Sequence, residues 1–190
     1  MGSFRTWSRK ITSHSGNTFT YDPVPQNEWK NKEHQYFLEG RLEFLDAAGE
    51  WFLDTTTPKN TLYYYAPPGE NPNEMNIRGK VQSYAFVISK SKYVELRDLE
   101  FFGTTFYIYK SSGSKVDNCN FFYPSTSKRM LRIVNQVPDM SIIKSSSNCT
   151  VSNSAFRYTD GSAIEAWGGR NTIKNNYFYQ VSFFWFFFYF

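Results

Sequence analysis

The chain has 190 residues, 20% of them aromatic and 20% charged, with a formal net charge of +4 at pH 7. This length allows one domain with a substantial core, and so mild a positive charge is not that of a nucleic-acid-binding protein. Walker, GxSxG and zinc-type Cys/His motifs are absent from the sequence. The two cysteines, Cys119 and Cys149, are expected to be unpaired thiols.

The two ends of the sequence lack the features of natural protein termini. No apolar segment follows Met1, so a secretory signal peptide is not predicted. The last eight residues, 183 to 190, are all aromatic, which no ordinary domain exposes, and they are too few to span a membrane. We interpret residues 183 to 190 as an artefactual tail and the chain as a truncated fragment of a longer protein.

The N-terminal part of the chain carries strand and turn patterns. Residues 1 to 35 are predicted to be strand and loop, with degenerate coils of a repeat as the alternative. Residues 36 to 75 are predicted to form a β-hairpin module and a linker. Strand-like runs at Glu50 to Asp54 and Thr61 to Tyr65 flank the turn-rich sequence TTTPKN there.

A short repeat occupies residues 76 to 182. Four segments align without gaps, each reading aliphatic, any residue, Asn or Asp, two variable residues and Phe: LRDLEF (96 to 101), VDNCNF (116 to 121), VSNSAF (151 to 156) and IKNNYF (173 to 178). Such short units cannot bury their apolar positions alone, and stacking them about 4.8 Å apart does bury them. The repeat therefore predicts an all-β fold, a right-handed, single-stranded parallel β-helix, or solenoid.

The repeat also predicts which residues stack on one another. The phenylalanines are expected to form a column in the core, and the Asn or Asp residues a ladder at a turn. The column consists of Phe101, Phe121, Phe156 and Phe178, and the ladder of Asp98, Asn118, Asn153 and Asn175. A second strand precedes each motif, and its equivalent positions are taken to be Val87, Ile108, Ile143 and Ile164.

The combination of hairpin and repeat is similar to a known superfamily. The run LEFLDAAGEWFLD, then NTLYYYAPPGENP and coils ending in GSAIEAWGGRNTIKNNYF, resembles right-handed β-helix proteins of the pectate-lyase-like superfamily, especially bacterial and marine glycoside hydrolase-like members. The resemblance covers about residues 36 to 181. It implies action on plant or algal polysaccharides as a hydrolase or lyase, and a full-length parent that is extracellular or on the cell surface. Fold alone does not fix the activity.

Two aspartates share a local pattern. DMSII and DGSAI both read D-x-S-x-I, so aligning Ile143 with Ile164 predicts that Asp139 lies over Asp160. Carboxyl groups about 5 Å apart suit a retaining glycosidase, with one as nucleophile and the other as acid/base. The same pair would also suit Ca²⁺, or the two side chains would simply cap turns.

A polar column is expected on the outer surface of the coils. The same alignment puts Glu165 above Lys144 and Tyr109, with Trp167 able to stack on a sugar ring and Arg170 flanking the Gly168-Gly169 turn. A solvated ion pair is the alternative for the Lys/Glu pair. The insertion FYPSTSKRMLRIVNQVP adds three cations that would wall a groove for an anionic sugar, or form a solvated basic loop: Lys128, Arg129 and Arg132.

These residues lead to a functional expectation. We expect a polysaccharide-cleaving protein, with hydrolysis by Asp139, Asp160 and Glu165 favoured over lyase chemistry. A hydrolase of this kind needs no cofactor or metal, whereas a lyase would need a base, supplied by Lys144, Arg170 or a histidine, and Ca²⁺. The expected partner is a polysaccharide, anionic in one version, with no nucleic acid and no membrane, and the expected state is a monomer. The alternative is a non-catalytic surface, adhesion or carbohydrate-binding protein.

Overall fold

The computed structural model describes residues 9 to 22, 36 to 125, 139 to 183 and 188 to 189. Over these residues the chain is built from β-strands with two short 3-10 helices. It divides into two compact units, one containing the described residues up to Ile77 and one containing those from Arg78 onwards. No helix in the described part of the chain is long and apolar enough to cross a membrane.

The first unit contains two antiparallel hairpins. Strand β1 (Ile11–Ser15) pairs with β2 (Thr18–Tyr21), so this stretch is a hairpin and not a parallel coil. Strand β3 (Trp51–Asp54) pairs with β4 (Thr61–Tyr64), which confirms the predicted hairpin. The two 3-10 helices, Leu42–Phe44 and Pro72–Glu74, lie on either side of the second hairpin in the sequence.

The second unit is a parallel β-solenoid of four turns, each made of three strands. The first-turn strands are β5 (Tyr84–Ser89), β6 (Glu95–Arg97) and β7 (Glu100–Phe102), and the second-turn strands are β8 (Thr105–Tyr109), β9 (Lys115–Asp117) and β10 (Asn120–Phe122). The third turn has β11 (Ser141–Lys144), β12 (Thr150–Ser152) and β13 (Ala155–Ser162), and the fourth has β14 (Ile164–Trp167), β15 (Thr172–Lys174) and β16 (Tyr177–Phe183). Strand β17 (Phe188–Tyr189) follows.

Equivalent strands of successive turns stack into three parallel sheets. The first sheet has the order β5-β8-β11-β14-β17, the second β6-β9-β12-β15 and the third β7-β10-β13-β16. Because a solenoid is defined by this stacking of equivalent strands, the predicted fold class is confirmed. The backbone of β17 pairs with Ala166 and Trp167, while residues 184 to 187 and 190 of the predicted artefactual tail lie outside the described residues.

The core follows the repeat residue by residue. The aliphatic positions Leu96, Val116, Val151 and Ile173 are paired from turn to turn. The column of phenylalanines is confirmed, since Phe121 stacks on Phe101 with ring centroids 4.6 Å apart and on Phe156 at 4.7 Å. Phe178 continues the column at 5.5 Å from Phe156. Stacked rings of this kind bury a large apolar area and add the attraction between offset aromatic faces.

The predicted ladder lies at the turn between the second and third sheets. All four ladder residues have a left-handed backbone, with φ values of 57° at Asp98, 51° at Asn118 and Asn153, and 53° at Asn175. Asn and Asp tolerate this conformation better than other residues with a side chain. The Asn118 Nδ2 donates a hydrogen bond to Asp98 Oδ1 over 2.6 Å. The ladder is therefore a shared backbone requirement, and a side-chain hydrogen bond joins its first two residues.

A carboxylate beside the ladder is held by its neighbours in the next turn. Ser152 Oγ and Asn153 Nδ2 each donate to Asp117 Oδ1 over 2.8 Å. Hydrogen bonds from Ser152 and then Asn153 keep the pKa of Asp117 below its usual value, because they stabilise the charged form.

Both cysteines lie inside the solenoid. Cys119 and Cys149 are free thiols and are buried, as expected from the sequence. Burial raises the pKa of each thiol, because the apolar surroundings disfavour the thiolate. These side chains act as small core residues.

The register of the first sheet differs from the predicted one. Ile108 pairs with Ile143 as expected, but Ile88, not Val87, occupies the equivalent position in β5. In the fourth turn Ile143 pairs with Ala166, and Ile164 pairs with Ser141. The alignment of Ile143 with Ile164 is therefore wrong by two residues.

A shorter turn after β14 accounts for one of these two residues, and the D-x-S-x-I pattern, which puts Ile164 nine positions before Ile173, accounts for the other. Val151 lies eight positions after Ile143, but Ile173 lies only seven positions after Ala166. Gly168, with φ 137°, makes the shorter turn possible, because this conformation is one that other residues rarely adopt. The predicted tight turn at the glycine pair thus changes the register that spacing alone suggested.

Candidate functional site

The outer surface of the first sheet carries most of the predicted site residues. Ile108, Ile143 and Ala166 point into the core and are buried. Since side chains alternate along a strand, the residues on either side of them point outward. We call the resulting surface the outer face of the first sheet.

Two columns of side chains run up this outer face. Tyr107, Ile142 and Glu165 are paired in one column, and Tyr109, Lys144 and Trp167 in the other. The predicted stacking of Lys144 on Tyr109 is confirmed. The predicted position of Glu165 above Lys144 is wrong, because Trp167 occupies that place and Glu165 lies above Ile142.

Glu165 and Trp167 remain in contact across the two columns. The indole Nε1 of Trp167 donates to Glu165 Oε2 over 3.4 Å. Trp167 is 37% exposed, and Glu165 is half-buried. The carboxylate is thus held by the N–H group of an aromatic ring that is itself accessible from solvent.

Three tyrosine rings extend the face toward the first turn. Tyr84 stacks on Tyr107 with centroids 5.4 Å apart, and Tyr107 stacks on Tyr109 at 5.8 Å. The Lys110 Nζ lies 5.1 Å from the centroid of the Tyr109 ring, where a cation is attracted by the ring. The outer face therefore combines aromatic rings with positive charge.

Tyr84 is influenced electrostatically by two carboxylates, Glu165 on the outer face and Asp139 in the segment before β11. Its pKa is raised to about 12, first by burial and then by the electrostatic effects of Asp139, Tyr107 and Glu165. Ser83 Oγ donates a hydrogen bond to Asp139 Oδ2. At neutral pH the Tyr84 hydroxyl keeps its proton and remains a hydrogen-bond donor.

The expected pairing of Asp139 with Asp160 is wrong. The pairing of Ser141 with Ile164 gives an offset of 23 residues, whereas Asp139 and Asp160 differ by 21. The backbone N–H of Asp160 instead donates to the Ser125 carbonyl over 3.2 Å. As for the Ca²⁺ alternative, the described residues contain no group of three or more His, Cys, Asp and Glu side chains arranged to hold a metal ion.

The remaining predicted site residues divide into two groups. Arg170 is exposed in the turn after β14, with φ 57°. Lys128, Arg129 and Arg132 lie outside the described residues, so their predicted role in walling a groove stays a prediction.

Three residues of this region were not predicted from the sequence: Tyr84, Tyr107 and Ser83. Tyr107 is two residues before Tyr109 on one strand, so the alternation of β-strands already put both rings on one face. Ser83 and Asp139 are 56 residues apart, and no local pattern links them.

Comparison with known proteins identifies no relative of this chain. No family model matches the chain, and neither curated proteins nor solved structures give a match. The parallel β-solenoid is therefore established by the stacking of its own strands.

Proposed function

We propose that this protein is a carbohydrate-active β-solenoid of the pectate-lyase-like kind, which binds a polysaccharide on the outer face of the first sheet and hydrolyses its glycosidic bonds. One observation carries the proposal. Asp139 and Glu165 both raise the pKa of Tyr84, after the larger effect of burial, and the Tyr84 ring stacks on that of Tyr107. Glycoside hydrolysis uses two carboxyl groups, one on each side of the scissile bond.

The two carboxyl groups take different roles in this proposal. Glu165, held by the indole N–H of Trp167, protonates the oxygen of the leaving sugar. Asp139, held by the Ser83 hydroxyl, attacks the anomeric carbon or activates a water molecule. The protonated Tyr84 hydroxyl donates a hydrogen bond to a substrate oxygen between them.

The remaining residues of the outer face bind the sugar chain. The rings of Tyr107, Tyr109 and Trp167 offer flat apolar surfaces to the faces of sugar rings. Lys144, exposed in the same column as Tyr109 and Trp167, supplies a positive charge for an anionic substituent. We further propose that the protein acts outside the cell or at its surface, as a monomer.

The experiment compares carboxylate variants on a panel of plant and algal polysaccharides. Glu165→Gln and Asp139→Asn should each lower the rate of reducing-end release about 100-fold or more, with an unchanged circular dichroism spectrum. Glu95→Gln, an exposed glutamate on the second sheet, is the matched control and should keep full activity.

Four results would contradict the proposal. Full activity in Glu165→Gln would remove this residue from the mechanism. Loss of activity in Asp160→Asn, with Asp139→Asn still active, would reject the pair proposed above. Products with a new ultraviolet absorbance would indicate an unsaturated sugar and hence a lyase, while binding without any cleavage would indicate an adhesion protein.

A further inference from the structure

A second aromatic surface lies on the third sheet. Four exposed side chains, here called the aromatic stripe, continue from turn to turn: Phe102 (43% exposed), Tyr123 (43%), Tyr158 (36%) and Tyr179 (42%). Tyr123 stacks on Tyr158 with centroids 5.0 Å apart, and Phe102 and Tyr179 contact the two ends of this pair edge-on at 5.6 Å. The stripe crosses four turns, so it extends about 14 Å at the usual strand spacing.

Two of these tyrosines occupy backbone positions that disfavour them. Tyr123 and Tyr158 have φ values of 52° and 60°, in the left-handed region that is costly for a bulky residue. The first turn has Gly103 at the equivalent position, with φ 68°, which avoids this cost. Other non-glycine residues of the described chain, Tyr93 among them, also have positive φ; what distinguishes Tyr123 and Tyr158 is that their exposed rings stack on each other.

A cation completes the surface. The Arg157 guanidinium lies 5.2 Å from the centroid of Phe122 and 5.5 Å from that of Tyr177, and its Nη1 donates to Asn120 Oδ1 over 3.1 Å. Within the described part of the chain, no carboxylate lies within salt-bridge distance of Arg157. Its charge therefore lacks an anionic partner in that part of the protein.

Arg157 and the end of the aromatic stripe border an open cleft. A volume of about 560 Å³ is lined by Arg157, Tyr158, Tyr177 and Tyr179. Three tyrosines and one arginine thus border a shallow depression that is open to solvent.

We propose that the aromatic stripe and this cleft bind a uronate-containing polysaccharide, with sugar rings stacked on Tyr158 and Tyr179 and a uronate carboxylate on Arg157. A guanidinium group binds a carboxylate through two parallel hydrogen bonds, and tyrosine rings present the apolar surface that a sugar face needs. The inference rests on the proposed function, since this second surface would retain the polymer that the first sheet cleaves. The second surface lies on a different sheet and consists of different residues.

The test measures binding in an inactive background. With Glu165→Gln and Trp167→Ala already introduced, calorimetry gives the Kd for polygalacturonate. Adding Arg157→Gln should raise the Kd about tenfold, the effect of losing a charged hydrogen bond. Tyr158→Asn, which suits the left-handed backbone, should also weaken binding, and added salt should weaken it further.

Matched controls separate the site from general effects. Tyr93→Asn removes an exposed tyrosine with φ 58° on another turn, and Lys115→Gln removes an exposed cation of the second sheet. Both variants should leave the Kd unchanged. A neutral glucan should bind more weakly than polygalacturonate to the parent protein.

Several outcomes would overturn this inference. They are equal affinity in Arg157→Gln and its parent, stronger binding of dextran sulfate than of polygalacturonate, or no binding of polygalacturonate at all. Hydrolysis is measured separately, by comparing the wild type with Glu165→Gln. A failure of the stripe to bind and a failure of the proposed activity therefore give different results.

Discussion

The indole Nε1 of Trp167 donates a hydrogen bond to Glu165 Oε2 over 3.4 Å. The two residues are two positions apart on β14, so both side chains point to the outer face of the first sheet. Trp167 lies above Lys144 and Glu165 above Ile142. One exposed ring therefore orients a carboxylate and also offers a stacking surface to a ligand.

The two roles of Trp167 are separable by substitution. Trp167→Phe keeps a ring but loses the N–H group, so kcat for polysaccharide cleavage should fall several-fold with little change in KM. Trp167→Ala loses both and should also raise KM about tenfold. Steady-state kinetics on the cleaved polymer measures both effects. Trp51→Phe, at an exposed tryptophan on β3, is the control, and identical kinetics in Trp167→Phe and Trp51→Phe would reject the positioning role.

The two adjacent glycines are predicted to respond differently to a methyl group. A Cβ at Gly168 would clash with the carbonyl oxygen of Ser146, and the φ of 137° would be strained as well. Gly168→Ala should therefore lower the free energy of unfolding by about 2 kcal/mol or more. A Cβ at Gly169 meets nothing within 4 Å, so Gly169→Ala should be nearly neutral. Urea unfolding measures both, and equal stabilities would contradict the turn geometry.

The repeat predicted the second and third sheets because each residue type stacks on its own equivalent. Phe121 lies between Phe101 and Phe156, and Asn118 bonds to Asp98. Any gapless alignment of the motifs therefore gives the register of β6, β9, β12 and β15 and of the strands that follow them.

The first sheet was less predictable because its distance from the motif varies. The turn at Gly168 is one residue shorter than its counterpart in the third turn, and spacing cannot show how a glycine bends the chain. The cluster around Tyr84 was missed for a related reason. It depends on Asp139 reaching Ser83 across 56 residues, which tertiary structure alone determines.

Phe121 should be a costly position of the core column to truncate. Its ring is fully buried and stacks on a phenylalanine on each side. Phe121→Ala should lower the free energy of unfolding by about 3–5 kcal/mol, through lost apolar burial and the cavity left behind. Val87→Ala, at a 60% exposed position on β5, should change it by less than about 0.5 kcal/mol. Chemical denaturation compares the two, and a small effect at Phe121 would contradict the stacked core.

Tyr84 should make the protein less stable in alkali. Its pKa is raised from 10.0 to about 12 by burial and by Asp139, Tyr107 and Glu165, so the folded state holds this proton more tightly than the unfolded chain. The resulting stability is fully present below pH 10 and is lost as the pH rises through about 12. Tyr84→Phe cannot ionise and should lack this loss.

Urea unfolding from about pH 9 to about pH 11 measures the effect of Tyr84. The free energy of unfolding of the wild type should decrease more steeply with pH than that of Tyr84→Phe. Tyr63→Phe, at an exposed tyrosine on β4, should follow the wild type. Parallel curves for Tyr84→Phe and the wild type would mean that the pKa of Tyr84 is not raised in the folded protein, and its electrostatic link to Asp139 and Glu165 would lose its support.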